Sequence, residues 1–244
     1  MKIFKAVAIA ISSAILLQGC ASVAPSKSPD VQFKEGEEAF KRARYEDAIA
    51  YWKKVKESFK SPELSTKAEL GIADAYFLNK DYIEAAAAYE DFHKLHPSHE
   101  RAAYALYRQG LSYYNEINGI DTDQTPVKNA LSVFESYLKE YPHGENAKDA
   151  AEKIRDCRDK QVQYEIYVGT FYRKDDKYPA AIARFEGALK TFPDSTRRDE
   201  ILYNLGRTYR EAKQKAKANE VFERLIREFP ASPYVKDAKK MMAK

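Results

Sequence analysis

The stretch Val168 to Pro193, VGTFYRKDDKYPAAIARFEGALKTFP, constrains the fold most strongly, because it reads as two short helices and recurs along the chain. Gly169 and Tyr172 lie three apart on the first helix. Ala181, Phe185 and Ala188 share one face of the second, and Pro193 ends it. Apolar residues at i, i+3/i+4 and i+7 are the helical period. Asp176 is expected to cap the second helix, whose opening turn tolerates Pro179. A single hairpin cannot bury its apolar face, so it needs copies on either side.

Those copies are present. Thirty-seven residues later stand Gly206, Tyr209, Ala218, Phe222, Leu225 and Pro230. Towards the N-terminus the template falls on Ala73, Tyr76, Ala85, Tyr89, Phe92 and Pro97, and again on Gly36, Ala39, Ala48, Trp52 and Val55, with the proline displaced to Pro62. A central copy has Gly110, Tyr113, Ala130, Phe134, Tyr137 and Pro142, with eight extra residues between its helices. The small residue admits close approach, the aromatic fills space between hairpins, and the proline closes the unit. This pattern resembles the tetratricopeptide repeat and implies an all-α solenoid of five helix-turn-helix repeats over residues 29–62, 63–97, 98–142, 145–193 and 197–230. Ser232 to Met242 reads as a polar capping helix, making 29–244 one solenoid.

Two departures stand out. The insertion around 117–126, INGIDTDQTP, is a loop marked by Gly119 and Pro126; it either carries contacts or is simply solvated, and Asp121 and Asp123 alone do not make a metal site. In repeat four, fourteen additional residues precede the signature, which predicts one long helix from Glu145 to Arg173.

Ahead of the repeats, Lys2 and Lys5 precede a short apolar run from Ala6 to Leu17, too short to span a bilayer and suited to a signal peptide over residues 1–19. Leu17-Gln18-Gly19-Cys20 resembles the lipobox of bacterial lipoproteins, which implies acylation of Cys20. Ala21 after the cysteine favours the outer membrane. Residues 21–28, ASVAPSKS, form a polar tether reaching at most ~28 Å, so the repeats are expected close beneath the membrane. Removing Lys2 and Lys5 takes the formal charge from +4 to +2, which offers no argument for nucleic acid. With Cys20 acylated, Cys157 has no partner in the chain; a packed thiol and an intermolecular disulfide are its two readings.

The repeat class implies that first helices line a concave groove. Phe33, Phe40, Leu70, Phe77, Tyr104, Tyr107 and Tyr114 would then face it from repeats one to three, and Arg173, Tyr203, Arg207 and Arg210 from repeats four and five. Such a groove, aromatic then basic, suits an extended apolar peptide; the alternative is that the rings pack between repeats. Glu37, at a position where related grooves place a cation for a carboxylate, argues against a carboxylate clamp.

No GxSxG, HExxH, P-loop, dinucleotide turn or paired CxxC occurs, so no enzyme, cofactor or catalytic residue is implied. His93, His96 and His99 are spaced for one helical face, but Pro97 interrupts it, so no metal is expected.

The lipobox, the repeat number and the placement of both departures, together with Leu95-His96-Pro97-Ser98-His99, Arg108-Gln109-Gly110-Leu111 and Arg184-Phe185-Glu186-Gly187, resemble the BamD family of outer-membrane β-barrel assembly lipoproteins. The resemblance implies a periplasm-facing, lipid-anchored scaffold. Its N-terminal repeats would receive the C-terminal segments of unfolded outer-membrane proteins, and its C-terminal repeats would contact the barrel-forming subunit BamA beside other Bam lipoproteins. Arg184 aligns with a partner-facing arginine of that family; a solvated surface arginine is the alternative. An accessory lipoprotein of secretin or pilus assembly shares the lipobox-plus-repeat design and stays open as the second reading.

Overall fold

The computed structural model describes residues 27–58 and 60–243; the signal-peptide segment, Cys20 and most of the tether lie outside them. Among the described residues are eleven helices and no strand. They are α1 (Pro29–Lys41), α2 (Tyr45–Ser58), α3 (Pro62–Leu78), α4 (Tyr82–Leu95), α5 (Ala102–Asn115), α6 (Thr125–Glu140), α7 (Ala147–Lys174), α8 (Tyr178–Thr191), α9 (Arg198–Glu211), α10 (Lys215–Glu228) and α11 (Val235–Met242). Each helix packs on its neighbour in the chain. First helices of successive repeats also meet, as α1 does α3 and α7 does α9. The result is an all-α tetratricopeptide-repeat solenoid, with α11 covering the last repeat through buried Ala238.

Local chemistry starts these helices. Ser28 caps α1 by accepting from the Val31 amide, ahead of Pro29 at the first helical position. Ser61 does the same for α3 through the Leu64 amide. Pro62 therefore opens the second repeat instead of closing the first, because its fixed φ suits a helix start and its missing N–H costs nothing there.

Four of the five intra-repeat turns share one solution. Ala43, Lys80, Asp176 and Lys213 adopt φ between 55° and 67°. The following amides of Arg44, Asp81, Lys177 and Gln214 reach back to the carbonyls of Ala39, Tyr76, Tyr172 and Tyr209 at 2.9 Å. This is the Schellman ending, written here without glycine. It corrects the expectation for Asp176, which occupies the left-handed position of the turn and does not cap α8; its carboxylate accepts from the Tyr178 hydroxyl. Repeat three lacks this turn because residues 117–124 replace it.

In four of the five signatures, all but that of repeat two with Ala73, the glycine and the aromatic are two halves of one contact. A Cβ on Gly110 would lie 2.7 Å from Phe134, on Gly169 2.6 Å from Phe185, and on Gly206 2.5 Å from Phe222; Gly36 faces Trp52 in the same way. The ring therefore lies against the first helix of its own repeat, and in the last three pairs it is fully buried.

The fourteen-residue excess is absorbed by α7, 28 residues long. Its N-terminal half buries Ala150, Ile154 and Cys157 against α6, closing the first three repeats much as α11 closes the last. Its C-terminal half buries Val162 and Ile166 with α8 and α9, opening a second stack. Cys157 is a packed thiol, wholly buried, and burial pushes its pKa up to about 12.

Candidate functional site

The seven rings and side chains assigned to the groove in repeats one to three are all half-buried. Phe33 and Phe40 lean on Trp52, with ring centroids 6.2 and 5.5 Å away, and Phe40 also meets Tyr45 edge-on. Leu70 and Phe77 pack on the Tyr89 and Phe92 core of repeat two. Each side chain thus has one flank in the core and one towards solvent.

Between α3 and α5 the polar tips of this row converge. Oδ1 of Asp74 accepts from the Tyr104 hydroxyl at 2.7 Å and from that of buried Tyr89. Arg108 donates to the Tyr89 oxygen at 3.1 Å, and its guanidinium lies 3.6 Å over the Phe77 ring. Arg101 sits 3.9 Å over Tyr104. Burial, then the neighbouring Asp74 charge, pushes the Tyr104 phenol up to about 12. A cation over a ring face and a shared carboxylate fix both rings in place.

Between α5 and α7 the same logic repeats with a seven-residue period. Tyr107 donates to Asp149 at 2.5 Å and Tyr114 to Asp156 at 2.6 Å, while Lys153 lies 4.3 Å over the Tyr114 ring. Burial foremost, and then these carboxylates, raise both phenols above the ordinary tyrosine range. The N-terminal row is therefore a wall of rings whose hydroxyls are already committed and in which Phe77, Tyr104 and Tyr114 each carry a cation over one face, leaving ring edges and the remaining half-buried apolar flanks as its contact surface.

The C-terminal arginines are arranged differently from the sequence expectation. Arg173 is 7% exposed, and its Nη1 donates to both oxygens of Glu211 at 2.9 Å. It joins α7 to α9 and lies buried between them instead of lining an open groove, a correction whose cause is the close approach of those two helices. Its buried Nε has no partner of its own. Arg207 donates to the same Glu211 at 2.9 Å. Arg184 on α8 reaches Glu165 on α7 at 3.3 Å while keeping part of its side chain in solvent. Tyr203 stacks on Tyr234 with centroids 4.8 Å apart, tying α9 to the start of α11. Arg210 is half-buried.

The histidines do not converge. His96 contacts Glu69 at 2.6 Å and His93 contacts Glu140 at 3.2 Å, and no metal-holding cluster occurs among the described residues. None of the described helices is long and apolar enough to cross a membrane.

Two exposed rings escaped the sequence reading: Tyr167 at 44% and Phe171 at 57% exposure, four apart on α7. Their signal was available at the repeat offsets. The position of Phe171 holds Ala75, Ser112 and Thr208 in repeats two, three and five, all fully buried.

Fold and site together define a tetratricopeptide-repeat solenoid with an aromatic N-terminal row and no assembled reaction centre among its described residues. The family model described as "YfiO: Outer membrane lipoprotein" matches residues 25–220, and the chain belongs to that family. Curated relatives agree. An outer membrane protein assembly factor BamD from Rickettsia prowazekii is 30% identical over 86% of this chain and 85% of its own length. Proteins of the same name from Vibrio cholerae and Caulobacter vibrioides are 28% and 27% identical, covering 74% and 82% of this chain and 80% and 68% of theirs.

Proposed function

We propose that the chain is a non-enzymatic scaffold for assembling β-barrel proteins into the outer membrane. It is made with a signal peptide over residues 1–19, acylated at Cys20, and held at the periplasmic face by the tether to residue 28. What carries the reading is its membership of an outer-membrane lipoprotein family whose relatives, matched over more than two thirds of their length, are named outer membrane protein assembly factors.

In this reading the row from Phe33 to Tyr114 receives the C-terminal segment of an unfolded barrel protein. Such a strand alternates apolar side chains and ends in a ring, and its apolar groups find half-buried, rigidly held rings. Because the tyrosine hydroxyls are already bonded, recognition is by apolar area and ring edges and so tolerates many client sequences. The C-terminal repeats, with Arg184, Arg207 and Arg210, contact a BamA-like barrel-forming subunit and neighbouring lipoproteins of the same machine. No cofactor, metal or nucleic acid enters the scheme.

The test is fluorescence anisotropy with a labelled barrel C-terminal peptide ending in phenylalanine. Phe33→Ala with Phe77→Ala is expected to weaken binding about tenfold, the effect of roughly 1.4 kcal/mol, while the helical circular dichroism stays unchanged. Full affinity in the folded double variant would contradict the groove assignment.

A further inference from the structure

The C-terminal half of α7 is a first helix that, among the described residues, the preceding second helix α6 does not reach. In repeats two, three and five the face preceding the signature is covered by the second helix of the repeat before: α2 on α3, α4 on α5, α8 on α9. Repeat four breaks the rule for a reason of length. At 1.5 Å per residue α7 is about 42 Å long and α6, with 16 residues, about 24 Å. The start of α6 and the 117–124 loop come alongside Lys160 and Gln163. Among the described residues, about three turns beyond that point have no preceding second helix alongside them.

The only other described first helix without a predecessor is α1. Its matching positions are Val31, Lys34, Glu35 and Glu38, a mostly charged face suited to solvent. On α7 the same positions hold Tyr164, Tyr167, Val168 and Phe171, of which Tyr167 and Phe171 are exposed. A contiguous aromatic face in the middle of a solenoid, where an equivalent open end is charged, marks an interaction surface. The stripe is bounded one helical step before by Lys160, which pairs with Asp156 at 3.6 Å, and one after by Lys174, which has no ion-pair partner among the described residues.

The geometry points to an amphipathic helix of another component of the assembly machinery, carrying acidic residues at both ends of its apolar stripe and docking where a preceding second helix would lie. The inference rests on the scaffold reading above. Position favours a helix, because the place is the one that α2, α4 and α8 occupy beside α3, α5 and α9; Phe171, standing where those helices carry Ala75, Ser112 and Thr208, calls for small residues on the helix that faces it. An extended strand finds no edge here, since the backbone groups of α7 are bonded within the helix. Charge disfavours a second copy of this chain. Pairing the stripe with itself sets lysine against lysine at both ends, whether the helices run parallel or antiparallel.

The experiment places a photo-cross-linking residue at Tyr167, at Phe171 or, for reference, at Val31 in the full-length protein in its native envelope. Expected adducts form from 167 and 171 but not from 31. Mass spectrometry maps them to a helical, acid-flanked segment of a protein that co-purifies with the wild type. In parallel, Tyr167→Lys with Phe171→Lys lowers recovery of that protein at least tenfold, and Lys174→Glu lowers it less, with helicity retained. Adducts to a second copy, to an unfolded barrel strand, or to no protein overturn the inference, as does undiminished recovery by the double variant. If the wild type itself recovers no assembly component, the scaffold reading fails first and this inference with it.

Discussion

The hydroxyl of Tyr114 on α5 lies 2.6 Å from Oδ2 of Asp156 on α7, and one heptad earlier Tyr107 meets Asp149 in the same way. Two bonds seven residues apart on both helices hold the first stack to the long helix as a two-point clamp. Tyr107→Phe and Tyr114→Phe keep both rings and remove only the donors. Each is expected to lower unfolding stability by about 1–2 kcal/mol, as for a partly buried bond to a charged acceptor. Urea unfolding followed by circular dichroism measures it; a double variant as stable as the wild type would show that the clamp contributes nothing.

The contact between Gly169 and Phe185 leaves no room for a methyl group. Gly169→Ala is expected to destabilise by about 1–3 kcal/mol through overpacking, even though alanine is the better helix former by about 1 kcal/mol. A smaller residue at the facing position should relieve it. The Gly169→Ala, Phe185→Leu pair is expected to be more stable than the sum of the single changes predicts, and simple additivity would contradict the contact.

Lys213 holds a left-handed backbone conformation, φ 60°, that glycine adopts without strain. Its amide bonds back to Arg210 and serves the turn whatever the side chain. Lys213→Gly is expected to raise stability by roughly 0.5–1 kcal/mol, the left-handed strain relieved less the added chain entropy. A lower melting temperature would contradict this.

Alkaline pH should loosen the solenoid as it rises from the ordinary tyrosine range towards about 12. Burial, aided by Asp74 and Glu186, pushes Tyr104 and Tyr209 up to about 12, against about 10 in an unfolded chain. The folded state holds these protons more tightly, so their contribution is complete below pH 10 and is lost as pH rises through 12. The urea midpoint is therefore expected to fall between pH 10 and 12, and a flat profile there would count against the bonded phenols.

If the proposed partner contact holds, Arg184→Glu is expected to separate it from the fold. The Arg184–Glu165 pair is partly exposed, so its loss should change stability by less than about 1 kcal/mol. Recovery of the barrel-forming partner is expected to drop while peptide binding holds. Equal loss of both would indicate misfolding instead.

The repeat framework was legible in the sequence because its period is written in residues that tertiary packing requires: Gly110, Gly169 and Gly206 facing Phe134, Phe185 and Phe222. The long α7 was legible as missing punctuation, there being no proline or glycine from Glu145 to Val168. Less visible were features set by three-dimensional neighbours. Arg173 reads as a surface cation from its position, yet the approach of α9 brings Glu211 over it and buries both charges' contact. Pro62 reads as a terminator by analogy with Pro97 and Pro193, but Ser61 before it makes it a start. Asp176 has the residue type of a cap and the backbone of a Schellman turn. The aromatic stripe on α7 was overlooked because its meaning depends on α6 being too short to cover it.

The central claim is that this solenoid serves barrel assembly at the outer membrane. Affinity purification of the lipidated, C-terminally tagged protein from detergent-solubilised envelope, followed by mass spectrometry, tests it most directly. The account predicts recovery of a BamA-like barrel protein with its companion lipoproteins. Recovery of a secretin without any such barrel protein would contradict it and assign the same fold to a different assembly line.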